Sequence, residues 1–192
     1  MPAASSHRRV AVYCASSAGT LPAYRAEAES LGKAIAAAGL GMVYGGANIG
    51  LMGAAADAAL AAGAEVIGVL PEFLSGREIA HTGLTRLETV STMHQRKARM
   101  VALADAFSIL PGGYGTLDEL FEILTWSQLR MHAKPCILIN TAGYWDKLLD
   151  FADSMVASGF LPAKSRTLMQ VAPDSQAAVE MVLNHFASQP AS

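Results

Sequence analysis

Hydrophobic and polar positions along this chain come in short blocks, and their period switches between that of a strand and that of a helix. Val10–Cys14 is an apolar, β-branched run. Tyr24–Ala38 follows, with Tyr24, Ala28, Leu31 and Ile35 at helical spacing and Gly39 as its stop. Leu40–Tyr44 is apolar again and meets Gly45-Gly46. Leu51–Ala62 is an alanine-rich helix stopped by Gly63, and Glu65–Leu70 is a strand ended by Pro71. A less regular stretch, Phe73–Thr89, precedes a helix over Met93–Asp105 and the strand Ala106–Leu110. Thr116–Met131 reads as a long amphipathic helix, Pro135–Asn140 as a strand, and Tyr144–Ser158 as a helix stopped by Gly159. Thr167–Val171 is an expected edge strand, and Ser175–Phe186 a closing helix.

Continuous apolar strands alternating with helices predict a parallel sheet covered on both faces, here with six or seven strands. One doubly wound α/β domain is therefore expected, with no linker, internal repeat or low-complexity segment. Its expected limits are residues 10–187, between short tails at 1–9 and 188–192. In such folds ligands sit at the carboxyl ends of the strands. The glycine-rich turns fall at those ends: Ser16-Ser17-Ala18-Gly19, Gly45-Gly46 and Gly112-Gly113-Tyr114-Gly115.

Composition narrows the picture. The 192 residues are 52% hydrophobic, with a mean hydropathy of +0.31, enough for a well-buried core in one domain. A net charge of −2 without a like-charge run excludes a polybasic nucleic-acid footprint. No segment has the eighteen or so uninterrupted apolar residues of a membrane span. Arg8-Arg9 followed by VAVYCASSA resembles a short signal peptide, but its apolar part is brief and reads better as a first strand. Cys14 and Cys136 lie far apart inside apolar runs, which suits two buried thiols in a reducing cytosol.

The stretch PGGYGTLDEL, Pro111 to Leu120, is the first candidate for chemistry. A strand runs into a loop with almost no side chains and then into a helix start. Such a loop can turn backbone N–H groups around an anion, helped by the free N–H groups and dipole of the first helical turn. Glycine suits a phosphate approaching the backbone closely, and a nest of N–H groups calls for positive φ. An ordinary tight strand-to-helix turn fits the spacing equally well. Gly45-x-x-x-x-Gly50 has P-loop spacing, but Leu51-Met52 stands where Lys-Ser/Thr belongs, which argues against a nucleoside-triphosphate hydrolase. It does not fit G-x-G-x-x-G either, so a dinucleotide dehydrogenase is weakly supported. Gly53 is expected where a helix packs closely on the sheet.

Acids and cations add a second signal. Thr116-x-x-Glu119 has capping-box spacing, so Glu119 reads as a cap as readily as a catalytic acid. Thr92-x-x-Gln95 is another capping box, starting a helix at Met93. On that helix Met93, Met100, Val101 and Ala104 form an apolar stripe, and Arg96 and Lys97 fall on it. Two cations on a buried stripe near a helix N-terminus oppose the dipole, and such a local conflict often marks a site. The planar fork of Arg96 suits a phosphate or a carboxylate partner. His94 and His132 have no Ser, Cys or Asp neighbour at suggestive spacing and read as surface or interface residues. No carboxylate/His cluster has metal-ligand spacing.

These residues carry a resemblance. PGGYGTLDE matches the P-G-G-x-G-T-x-x-E motif of the LOG family, and MHQRKARM matches its arginine motif. YCASSAG, YGGANIGLMG and GREI match further family segments in order, so the resemblance spans about Val10 to Ala172. It implies a Rossmann-like homodimer, with sites near the subunit interface, that hydrolyses cytokinin riboside 5′-monophosphates. It also implies that Arg96 and Glu119 are a catalytic pair, that Gly113, Tyr114, Gly115 and Thr116 form the phosphate-binding loop, and that Gly112, Leu117 and Asp118 beside it bind substrate. Glu78, Lys97, Thr125, Ser16, Gly45 and Gly46 are implied as further substrate contacts. Small departures are Ala15 for a usual glycine, Ala47-Asn48 for Gly-Ser, and Arg99 for a usual acid. The label "lysine decarboxylase", common in this family, is not favoured, because nothing marks a Schiff-base lysine with a partner for a pyridinium nitrogen. No cofactor is expected, and no nucleic-acid or membrane partner. Competing readings are a broader nucleosidase acting on AMP or other 5′-monophosphates, and a non-catalytic nucleotide-binding module.

Overall fold

The computed structural model describes residues 8–75 and 80–189. Its elements run β1 (Arg9–Tyr13), α1 (Pro22–Ala37), β2 (Gly41–Tyr44), α2 (Gly50–Ala61), β3 (Val66–Pro71) and α3 (Glu72–Ser75). Then come β4 (Arg86–Val90), α4 (Met93–Leu103), β5 (Ala106–Ile109), α5 (Tyr114–Gln128) and β6 (Cys136–Ile139). After a 3₁₀ turn at Thr141–Gly143, the chain closes with α6 (Asp146–Ala157), α7 (Ala163–Arg166), β7 (Met169–Ala172) and α8 (Ser175–Ser188).

The seven strands form one parallel sheet in the order β4-β3-β2-β1-β5-β6-β7. Alternate residues of each strand face opposite layers. Val10, Val12, Met42 and Tyr44 pack under α1, α2 and α8, while Ala11, Tyr13, Val43, Phe107 and Ile109 pack under α4, α5 and α6. Burial on both faces is why the strands read as unbroken apolar runs. Within the first layer α1 and α2 touch backbone to backbone, because a side chain at Gly32 would overlap the Ala55 carbonyl.

The strand order reverses between β1 and β5, which lie side by side with Val10 opposite Ala106 and Tyr13 opposite Ile109. Chains leaving two such strands diverge to opposite faces and leave a crevice at their carboxyl ends. The loops after β1 and β5, with Ser16-Ser17 and Gly113, open into that crevice.

Two expectations are corrected here. The irregular stretch Phe73–Thr89 holds a strand, β4, paired along β3 from Ile67–Arg86 to Pro71–Val90. As an edge strand it carries Arg86, Glu88 and Thr89 among its five residues, so no apolar run announced it. Glu88 pairs with Arg86 at 3.0 Å and with Arg99 at 2.6 Å, which gives Arg99 a partner within the fold. Gly53 is required by its own turn rather than by the sheet, since a Cβ there would fall on the Asn48 carbonyl.

Candidate functional site

A cleft of about 460 Å³ lies at the carboxyl ends of β1, β2, β3 and β5. One wall is the entrance to α5: Gly113, Tyr114, Gly115 and Thr116. The facing wall is the loop after β1, with Ala15, Ser16 and Ser17. Arg96 and Glu119 form the floor, and Ile49, Met52, Leu70 and Leu74 contribute apolar lining.

The α5 wall is built differently from its sequence expectation. The helix starts at Tyr114, with Gly113 as N-cap and no side-chain cap. Thr116 is therefore inside the first turn, and the predicted capping box with Glu119 does not form. Glu119 is not spent on its own helix. None of Gly112, Gly113 and Gly115 has positive φ either. Their lack of a side chain serves space instead. A Cβ at Gly112 would fall on the Thr116 hydroxyl, while Gly113 and Gly115 face open volume. The N–H groups of Gly113, Tyr114, Gly115 and Thr116 are the ones a helix leaves without internal partners, and these four residues line the cleft. The helix dipole adds positive potential at the same place.

The floor is held from below by α4. Thr92 caps that helix as expected, accepting from the Gln95 N–H at 3.1 Å, and the Gln95 side chain accepts from Ser91 N–H at 2.9 Å. One turn on, Arg96 runs under the sheet ends. Its Nε donates to the Val69 carbonyl at 3.1 Å, and Nη2 to the Gly45 carbonyl at 3.3 Å. Nη1 is left facing Glu119 Oε1 at 3.4 Å. Both side chains are about nine-tenths buried, at 11% and 10% exposure. Burial pushes the Glu119 carboxyl up to about 7, against the pull of Arg96; Asp118 and Glu122 push it further up and Lys97 pulls it down. Such a group changes charge near neutral pH, which suits a catalytic acid or base.

The other expected contacts divide. Ser16 and Gly45 line the cleft, whereas Gly46 lies behind it, at φ 79° with its carbonyl accepting from His81 N–H. Lys97 points away from Arg96 and Glu119. Its ammonium sits between Asp118 at 3.0 Å and Glu122 at 3.2 Å. Leu117 and Thr125 share that separate depression with it, on the outer side of α5, and Tyr114 borders both. Burial alone would lower the Lys97 pKa, but its bonds to Asp118 and Glu122 raise it, so the amine is held protonated. Glu78 lies outside the described residues. His132 is half-buried, bonded to the Ile123 carbonyl at 2.9 Å and tilted against the Phe107 ring at 5.5 Å, a structural role. No motif marks the apolar lining; its residues lie at or just past the carboxyl ends of β2 and β3, which is the available signal.

A family model described as "Possible lysine decarboxylase" matches residues 52–182. A probable cytokinin riboside 5′-monophosphate phosphoribohydrolase of Oryza sativa subsp. japonica is 47% identical, over 91% of this chain and 77% of its own. A cytokinin riboside 5′-monophosphate phosphoribohydrolase of Rhodococcoides fascians is 46% identical, over 91% of this chain and 89% of its own. This chain belongs to the LOG family. The molybdenum cofactor carrier protein of Chlamydomonas reinhardtii matches with a TM-score of 0.73 at 24% identity, over 95% of this chain and 99% of that one. The molybdenum cofactor binding protein of Rippkaea orientalis matches with a TM-score of 0.71 at 22% identity, over 94% and 98%. At that identity the likeness concerns architecture alone.

The residues do not fit the pyridoxal chemistry that the family description suggests. Among the described residues no lysine lines the cleft, and Lys97 is tied up by two carboxylates outside it. A Schiff-base lysine needs a lowered pKa and free access to the cofactor carbonyl.

Proposed function

We propose that this protein hydrolyses the N-glycosidic bond of N6-modified adenosine 5′-monophosphates, giving the free base and ribose 5-phosphate. The observation that carries the reading is a buried carboxylate, Glu119, in the same cleft as an open helix N-terminus. The names of the relatives, at 42–47% identity, support it.

The 5′-phosphate accepts hydrogen bonds from the N–H groups of Gly113 to Thr116, far from the bond that breaks. Its binding energy positions C1′ over the floor. As the base departs, positive charge builds at C1′ and the ring oxygen. The ionised Glu119 stabilises that charge and orients a water whose oxygen bonds to C1′ while the C1′–N bond breaks, one proton of that water ending, in the net reaction, on the departing base nitrogen. Arg96 holds the carboxylate in place and, by pulling its pKa down, keeps the ionised form accessible. Ile49, Met52, Leu70 and Leu74 offer an apolar seat for an N6 substituent, which favours modified adenosines over plain AMP.

Lys97, Asp118 and Thr125 lie on the outer side of α5, beside the exposed Tyr114 and Phe121. The reading assigns that side to a second copy of the chain, so that the protein acts as a homodimer. The cytoplasm is its expected compartment, in keeping with two buried free thiols.

The test is a substrate panel read by chromatography: isopentenyladenosine 5′-monophosphate, its riboside, and AMP. Base release should be fastest from the modified monophosphate. Equal cleavage of the riboside would remove the phosphate cradle from the mechanism, and equal cleavage of AMP would favour the broader nucleosidase.

A further inference from the structure

The four N–H groups at the entrance to α5 are not held alike. Those of Tyr114, Gly115 and Thr116 belong to residues inside the helix, so helical geometry sets their direction. The Gly113 N–H belongs to the peptide between Gly112 and Gly113, which lies outside the helix, and two adjoining glycines give that peptide unusual freedom to rotate. It needs a separate restraint.

That restraint comes from the chain that leaves the neighbouring strand, β6. Tyr144 Oη donates to the Gly112 carbonyl at 2.7 Å. A trans peptide is planar, with its C=O and N–H pointing in opposite directions. Fixing the Gly112 carbonyl toward Tyr144 therefore fixes the Gly113 N–H away from it. The preceding peptide is held too, because the Pro111 carbonyl accepts from Ala15 N–H at 3.1 Å.

The chain after β6 is shaped to deliver this hydroxyl. Ala142 and Gly143 both take positive φ, 53° and 72°, an uncommon choice for alanine. The Asn140 side chain closes the turn, accepting from Trp145 N–H at 2.8 Å and donating to Asp146 at 2.7 Å. The Tyr144 ring is then clamped edge-on by Tyr24 at 5.7 Å and Trp145 at 4.8 Å. A residue that is 40% exposed is thus held on three sides, with its hydroxyl on one carbonyl.

We infer that Tyr144 is a positioning residue for the phosphate cradle: it orients the Gly113 N–H, the donor that the helix does not fix. The inference rests on the reading of this cleft as a 5′-monophosphate site. Tyr144→Phe keeps the ring and its clamps and removes one hydroxyl. The variant should raise KM for isopentenyladenosine 5′-monophosphate about three- to tenfold, the worth of one neutral hydrogen bond, with kcat changed much less. Its preference for the monophosphate over the riboside, as a ratio of kcat/KM, should fall by the same factor. Unchanged KM, or an equal loss on both substrates, overturns the assignment. If the wild-type protein binds AMP without cleaving any member of the panel, the proposed reaction fails, and the comparison is made on the Kd for AMP by calorimetry. There a three- to tenfold weakening in Tyr144→Phe upholds the role of Tyr144, and an unchanged Kd ends it.

Discussion

Replacing Glu119 by glutamine should make this protein more stable, and increasingly so as the pH rises. The Glu119 residue is 8% exposed, and burial lifts its carboxyl from the ordinary 4.5 to about 7. Between those two values the unfolded chain has lost the proton that the folded chain keeps, so stability declines as pH climbs. The penalty is absent below the unfolded value and complete above the folded one. At about 1.4 kcal/mol for each pH unit, the gap amounts to about 3 kcal/mol by pH ~8. Glutamine mimics the protonated acid in size and polarity and carries no such penalty. Urea unfolding of both proteins at a series of pH values, with each midpoint multiplied by its slope, gives the difference directly. The two should agree near pH ~4 and diverge by about 3 kcal/mol in favour of glutamine by pH ~8. The variant should also lose most of its turnover, on the order of 10²–10³-fold. A difference that does not vary with pH, or a variant less stable at high pH, would refute the claim that Glu119 is a desolvated acid held against its preference.

Other outcomes follow from the same geometry. In the wild type, kcat/KM should fall tenfold per pH unit below about 7, as Glu119 takes up its proton. Arg96→Met removes a partner at 3.4 Å, a coupling of about 5 kcal/mol at an effective dielectric near 20 before desolvation and water entry offset most of it. The acid limb of the rate profile should therefore move up by about one pH unit or more, and an unmoved limb would show that Arg96 does not tune Glu119. Gly32→Ala should part α1 from α2 at the Ala55 carbonyl and cost about 1–3 kcal/mol in urea unfolding, leaving KM unaffected.

The amino-acid pattern alone settled the alternation of strands and helices, and several helix stops with it. Gly39, Gly63 and Gly159 all take positive φ where the periodicity ends. These are decisions made within about four residues, by backbone sterics and local burial, so local reading reaches them. The conflict of Arg96 and Lys97 with an apolar stripe was also visible, since a charge placed where a core residue belongs needs a partner wherever the chain folds. What that partner would be was not visible. Arg96 met Glu119, Gly45 and Val69, while Lys97, its neighbour, turned outward to Asp118 and Glu122. α5 starts two residues before the Thr116 that its capping-box spacing suggests, because Gly113 takes the cap position and the Thr116 hydroxyl fills the space beside Gly112 instead. β4 escaped notice because an edge strand need not be apolar. Tyr144 and Gly112 stand thirty-two residues apart and meet only because β5 and β6 are neighbours in the sheet. Spacing rules describe what the backbone does next; which distant groups come face to face depends on strand order, and strand order is a property of the packed whole.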